Sequence, residues 1–413
     1  MWAMAEPRTS LQLFTDRRFG PYLGGNFVSN VGNWFQNVAA GIVVFQITGS
    51  NTLVGMVSVL QFAATLALAP WSGALADRLD RRKMLMLAQV VSASGAMALA
   101  IWVGLVGVEG LPGVWPVLAA SGVIGLGFAI GISAMNALVP ALVDRSDLDE
   151  AIALNSATFT VARAIGPALA GVVIAGFGAA VAFGANALTF LPLIIVLAFT
   201  RPREVERSLG DRSVRAGLSY TKERPAMPWL ILATLAVGWA GDPVNTLAPA
   251  YADMFGQGEA FVGLQVAAFG AGSAVSSLGV GSVRLRIGLL NTTRAGLGLL
   301  AVGLIGFAAA PHEALVLGAL FVAGVGFLLG VTTTNSNLQW RLDENMRGRV
   351  MALWSMAFLG SRPLAGLVDG AVADLTSPRL GVLMAVLPLA LGWWALNKVA
   401  RIDSEPEMVR PGD

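Results

Sequence analysis

The chain has 413 residues, 55% of them hydrophobic and only 13% charged, about half the charged share of a soluble domain. Mean hydropathy is +0.70 and the apolar residues come in long blocks, which excludes a string of water-soluble domains. With no cysteine there is no disulfide framework or thiolate metal site, and the net charge of +2 comes from short basic clusters between apolar blocks, so no nucleic-acid face is expected.

Residues 1–20 are polar and carry Arg8, Asp16, Arg17 and Arg18. They read as a cytoplasmic tail leading into a first helix that stays in the membrane. A membrane helix needs about 20 mainly apolar residues. Twelve blocks meet that need: 19–47, 52–76, 84–108, 114–142, 151–176, 179–199, 227–249, 261–282, 288–310, 314–338, 350–372 and 379–398.

The first block carries Asn26, Asn30, Asn33 and Asn37 on one helical face, flanked by Trp34 and Gln36. Amides bury poorly in lipid, so this stripe is expected to face a cavity or a neighbouring helix. Gln61 in the second block is a further cavity candidate. The second block ends on Gly73 to Lys83, a short loop holding Asp77, Arg78, Arg81 and Arg82. Gly73 permits close helix approach. Asp77 is placed to meet Arg347 and Arg349 at the start of the eleventh block, together with that helix's positive terminus, as a cytoplasmic gate. The basic run alone also satisfies the rule that cytoplasmic loops are positive.

The fourth block contains Asn136 and no charge. The fifth holds Arg163 and the run Gly166, Pro167, Gly171; the eleventh repeats the theme with Arg362, Pro363 and Gly366. Proline removes a backbone bond and small residues allow tight packing, so both helices are expected to bend. Sliding the chain on itself brings Asn136 onto Asn335, Asp144 onto Asp343, Arg163 onto Arg362 and Gly171 onto Gly370. That internal match predicts two six-helix halves. Residues 1–200 form the first, 201–226 a cytoplasmic linker, and 227–413 the second with a short cytoplasmic tail. With the amino terminus inside, every Lys and Arg of the 27 lies on the cytoplasmic side except Arg163, Arg362 and Arg379. Both termini are therefore expected in the cytoplasm.

Four ionisable residues lie well inside spans: Arg163, Arg362, Asp242 and Asp369. Such groups are costly in hydrocarbon and usually face an aqueous path or a partner. The two arginines either flank a cavity for an anionic substrate or brace the fold against carboxylates and carbonyls. Asp242 and Asp369 are the candidates for a carried proton. Asp242 is preferred, because it precedes Pro243 in a span that also holds Trp239, Asn245 and Thr246. Asn245 and Asn335 join the cavity candidates. His312 reads as a solvated loop residue.

The loop Gly73 to Lys83 resembles the signature loop of the major facilitator superfamily. The segment Phe27 to Gly49, the pair Gly166-Pro167 and the run Met346 to Val350 are similar to the bacterial transmembrane secretion effector branch, which includes exporters of the enterobactin type. The resemblance implies an all-α fold of twelve transmembrane helices in two pseudo-twofold-related six-helix bundles. It also implies alternating access around a central cavity. One feature departs from the drug-antiporter branches: the fourth block has no arginine. The sequence is thus read as a secondary active transporter, a monomer in the inner membrane with no cofactor, exporting small drug- or siderophore-like molecules against protons. An uncoupled carrier, an uptake carrier or a lipid flippase is the alternative on the same fold. A polytopic membrane enzyme is disfavoured, since one loop histidine and no cysteine leave it no catalytic cluster.

Overall fold

A computed structural model describes residues 8–78, 80–200, 214–343 and 346–404. All regular structure among them is helical. A short α1 (Ser10–Phe14) is closed by a capping box on Thr9 and precedes α2 (Phe19–Thr48). Gly49 ends α2 in the left-handed region at φ 62°, where a side chain would be strained. Next come α3 (Asn51–Arg78), α4 (Arg81–Val106) and α5 (Trp115–Leu142). Asp80 caps α4 by accepting from the backbone N–H groups of Arg82 and Lys83. A long α6 (Leu148–Thr189) leads into α7 (Leu191–Phe199). Its one non-helical residue is Gly178, at φ 81° and ψ 170°, which marks the turn between the fifth and sixth expected spans.

After α8 (Val214–Glu223), the seventh span is built from three pieces: α9 (Met227–Ala240), α10 (Pro243–Thr246) and α11 (Ala248–Met254). The first break falls at Gly241-Asp242, since Pro243 has no N–H to continue the ladder and disfavours helical geometry in Asp242. The rest is α12 (Glu259–Ile287), α13 (Leu289–Ala309), α14 (Glu313–Gln339), α15 (Arg347–Leu375), α16 (Pro378–Met384) and α17 (Val386–Ser404). Each of the twelve expected blocks falls on helix. Among the described residues, nine helices are long and apolar enough to cross a membrane, and one of these runs through both the fifth and sixth blocks.

The chain divides into two compact units, Met1–Leu209 with Asn245–Gly270, and Gly210–Val244 with Ala271–Asp413. In the first, α2 packs on α6 and α7, and α5 packs on α3 and α4. In the second, α9 packs on α15 and α17, and α14 packs on α13. The pairing of first with fifth helix and third with fourth thus recurs in both. Helix contact in lipid depends on close backbone approach rather than on apolar burial. The α13–α14 crossing shows this: a methyl group on Gly296 would lie 2.5 Å from the Gly330 nitrogen. A buried core of Leu13, Phe19, Leu23, Leu85, Leu138 and Leu193 closes one end of the first unit beside α1.

Candidate functional site

In the second unit the helices α9 and α15 cross tightly. A methyl on Gly238 would stand 2.5 Å from the Phe358 carbonyl oxygen and 2.4 Å from Ser361 Oγ. This approach brings the broken end of α9 to the middle of α15. Asp242, completely buried, faces Arg362, 2% exposed, with 3.6 Å between Oδ1 and Nε. About two turns further along α15, Asp369 is also completely buried. Its Oδ1 accepts a 3.2 Å hydrogen bond from Trp239 Nε1. Its Oδ2 is buried and has no hydrogen-bond partner among the described residues. Phe327 packs against Gly241 and Phe358, and Trp354 stacks on Phe358 with ring centroids 5.2 Å apart. The result is two carboxylates and one guanidinium, walled by aromatic rings. Desolvated charges of this kind hold position only with close partners.

Arg163, the repeat mate of Arg362, has a different environment. Its guanidinium lies over the Trp34 ring at 4.9 Å and near Phe269 at 5.9 Å, and Trp34 meets Phe159 edge to face. A ring face attracts the guanidinium of this half-buried residue.

On the asparagine stripe of α2, Asn26, Asn30 and Asn37 are buried and Asn33 is half-buried, and Asn26 and Asn37 tie α2 to other helices. Asn26 Nδ2 donates to Asn155 Oδ1 on α6 at 2.8 Å. Asn37 Nδ2 donates to Gln61 Oε1 on α3 at 2.7 Å, and Ser29 Oγ donates to Gln89 Oε1 on α4 at 2.7 Å. Gln36 Oε1 accepts from Asn186 of α6 at 2.7 Å. Asn26, Asn30 and Asn33 also line a small pocket of the first unit. Sequence reading missed Gln89, Asn155 and Asn186 as partners. The same signal, an amide within an apolar span, would have found them.

The remaining expected residues are scattered. Asn245 is half-buried on α10 and belongs to the first unit. Asn335 accepts from Gln339 one turn on. Arg82 caps the end of α7 through the Ala198 carbonyl at 2.8 Å. Arg349 packs on Gly217 of α8 and contacts Met346 Sδ, while Arg347 is exposed. Arg81 is half-buried at the start of α4. The side chains of Gly73, Asp77, Arg78 and Asn136 lie outside the described residues, so the gate expected at Asp77 has no geometry here. Both α6 and α15 stay continuous through Pro167 and Pro363. Gly166 lies against the Val31 carbonyl and Gly171 against Gly263, while Gly366 is buried on α15.

The sequence profile described as "transmembrane secretion effector" matches residues 13–409. The chain belongs to that family. It is 29% identical over 406 residues to proteins named enterobactin exporter EntS from Shigella boydii and from Escherichia coli, covering 94% of each chain in both cases. The fold is shared with a bacterial homologue of the iron transporter ferroportin, at a TM-score of 0.74, 18% identity, and coverage of 95% of this chain and 100% of that one. It is shared too with the nucleoside transporter NupG, at a TM-score of 0.72, 12% identity, and coverage of 92% and 98%. The protein is thus a multi-pass membrane transporter of the major facilitator type for a small molecule.

Proposed function

We propose that this transporter exports small organic, siderophore- or drug-like molecules across the inner membrane in exchange for protons, with Asp369 as the proton carrier. The observation that supports this reading is the unequal pairing of the two buried carboxylates. Asp242 is held by Arg362, which stabilises its ionised form, whereas Asp369 has one oxygen on Trp239 and the other without a hydrogen-bond partner among the described residues. A carboxylate so placed in a dry site takes up and gives up a proton when the site opens to water. Asp242 then acts as the fixed counter-charge of Arg362 rather than as the traveller.

One proton crossing a potential of about 100 mV releases about 2.3 kcal/mol, enough to sustain a substrate gradient of roughly fifty-fold. The siderophore class is suggested by the relatives named as enterobactin exporters. In this reading the protein works as a monomer with both termini in the cytoplasm and catalyses no covalent chemistry. Its halves are residues 1–200 and 227–413, joined by a 201–226 linker.

The test uses purified protein in liposomes with an imposed pH gradient, lumenal pH being followed as siderophores, drugs and lipids are added. One compound should trigger proton movement, and Asp369→Asn should abolish that movement while leaving exchange of substrate for substrate. Equal proton movement in Asp369→Asn and the parent protein would end the assignment. Substrate movement with no proton flux would favour an uncoupled carrier, a reading that the charge-free α5 (Trp115–Leu142) supports.

A further inference from the structure

A seam between α13 and α17, inside the second unit, holds a cation that faces only neutral partners. Arg294, on the second turn of α13, is half-buried. Its Nη1 donates to Asn291 Oδ1 at 3.2 Å, and its Nη2 donates to Asn397 Oδ1 at 2.8 Å and to the Leu396 carbonyl at 3.4 Å. Its Nε is buried with no hydrogen-bond partner among the described residues, and no carboxylate there lies within 4.0 Å of it. Arg8, Arg224, Arg341 and Arg362 each face a carboxylate instead. A guanidinium partly withdrawn from water and met only by neutral oxygens attracts an anion.

The surrounding charges have the same sign. The last turn of α12 carries Arg284 and Arg286 and runs into α13 through Gly288, while α17 adds Lys398 and Arg401 beside and one turn beyond Asn397. Asp403, in the last turn of α17, is engaged by Arg341. Away from that end the seam turns apolar. One turn along α13 from Arg294, Gly298 lies under the Trp393 ring, close enough that a methyl there would stand 3.2 Å from it. Val302 follows a turn later, and Trp393, Trp394 and Val302 are all exposed. Lys398 Nζ stands 5.4 Å from the centre of the Trp394 ring.

We infer that the α13–α17 seam binds one anionic phospholipid, its phosphate on Arg294 with Lys398 and Arg401 as flanking charge, its chains along Trp393 and Val302. Basic side chains at the end of a helix pair, tryptophan beside them and an aliphatic surface beyond follow the polarity of a lipid from headgroup to tail. A free phosphate would use the arginine and leave the apolar part of the seam bare. The site stands apart from Asp369 and does not depend on proton-coupled export.

The test is lipid binding to delipidated full-length protein in detergent at constant ionic strength. Phosphatidylglycerol, phosphatidylethanolamine and inorganic phosphate are titrated separately, with retained lipid read by native mass spectrometry and protection by thermal melting. Phosphatidylglycerol should be retained at least about fivefold more tightly than phosphatidylethanolamine, and inorganic phosphate should give no protection. Arg294→Gln should weaken phosphatidylglycerol about fivefold or more, whereas Arg17→Gln, which removes an exposed charge of the first unit, should not. Equal retention of the two lipids would overturn the inference, as would an Arg294→Gln protein that binds like the parent or an Arg17→Gln protein that loses as much. Protection by inorganic phosphate equal to that by phosphatidylglycerol would reject a lipid in favour of a simple anion. If Arg294→Gln does not fold, Lys398→Gln with Arg401→Gln decides: unchanged phosphatidylglycerol binding in that variant rejects the site. None of these readouts involves transport, so failure of the export reading is detected separately.

Discussion

Asp242 and Arg362 face one another in the dry interior of the second unit, 3.6 Å apart, at the point where proline breaks the seventh span. The contrast with Arg224 and Asp343, also an ion pair but 39% and 59% exposed, shows what burial changes. The exposed pair is worth at most about 1 kcal/mol. The buried one cannot lose a partner cheaply, because a lone charge would remain where water cannot reach it.

Arg362→Met should therefore destabilise the protein by about 3–5 kcal/mol, whereas Arg362→Met with Asp242→Leu should return to within about 1 kcal/mol of the parent. Denaturation in detergent measures both. A double variant as unstable as the single one would show that the pair is not the source of the effect.

Glycine spacing sets a second expectation. A methyl on Gly171 would lie 2.7 Å from Gly263 Cα, a backbone contact inside the first unit that cannot turn aside. Gly176, on the same helix, has nothing within 4 Å. Gly171→Ala should cost about 1–3 kcal/mol, and Gly176→Ala should be neutral or slightly stabilising. Thermal melts of the two variants provide the comparison.

The α2 amide bridges make a third. Asn37→Leu leaves Gln61 Oε1 without its donor, and Asn26→Leu does the same to Asn155 Oδ1. Each should cost about 0.6 kcal/mol, up to about 1.7. Because the bridges reach different helices, the double variant should be additive; a double-mutant cycle checks this.

The amino-terminal strap yields a pH prediction. Arg8 donates to both oxygens of Asp147, from its backbone N–H at 2.8 Å and its Nε at 2.7 Å, and also to Asp16. The Arg8 backbone N–H, followed by its side chain, holds the Asp147 carboxyl below the ordinary carboxylate range against the opposing effect of burial. A depressed folded pKa stabilises above the unfolded value of about 3.9, and that contribution is lost as pH falls through the folded one. Protection of residues 8–18 relative to intrinsic amide exchange should thus be high at neutral pH and fall below about pH 4. In Arg8→Ala protection should be low at both.

The membrane character, the twelve apolar blocks and the family motifs were legible because they are written in windows of about 20 residues, each testing one local question, whether the segment belongs in hydrocarbon. The sequence reading takes 227–249 as one unbroken span, so the Gly241-Asp242-Pro243 break is a finding of the structure, although proline acts on its own neighbours. What the buried polar groups touch was not legible either. Arg163 and Arg362 occupy matching positions in the sequence repeat, yet one meets the rings of Trp34 and Phe269 and the other the carboxylate of Asp242 in the break after α9. The asparagine stripe of α2 has a helical spacing that says only that it shares a face. Tertiary packing turned that face onto Gln61 and Asn155. Hydropathy is additive along a segment and so survives in the sequence. A hydrogen bond or ion pair joins segments far apart in the chain, and its partner is chosen only when the helices pack.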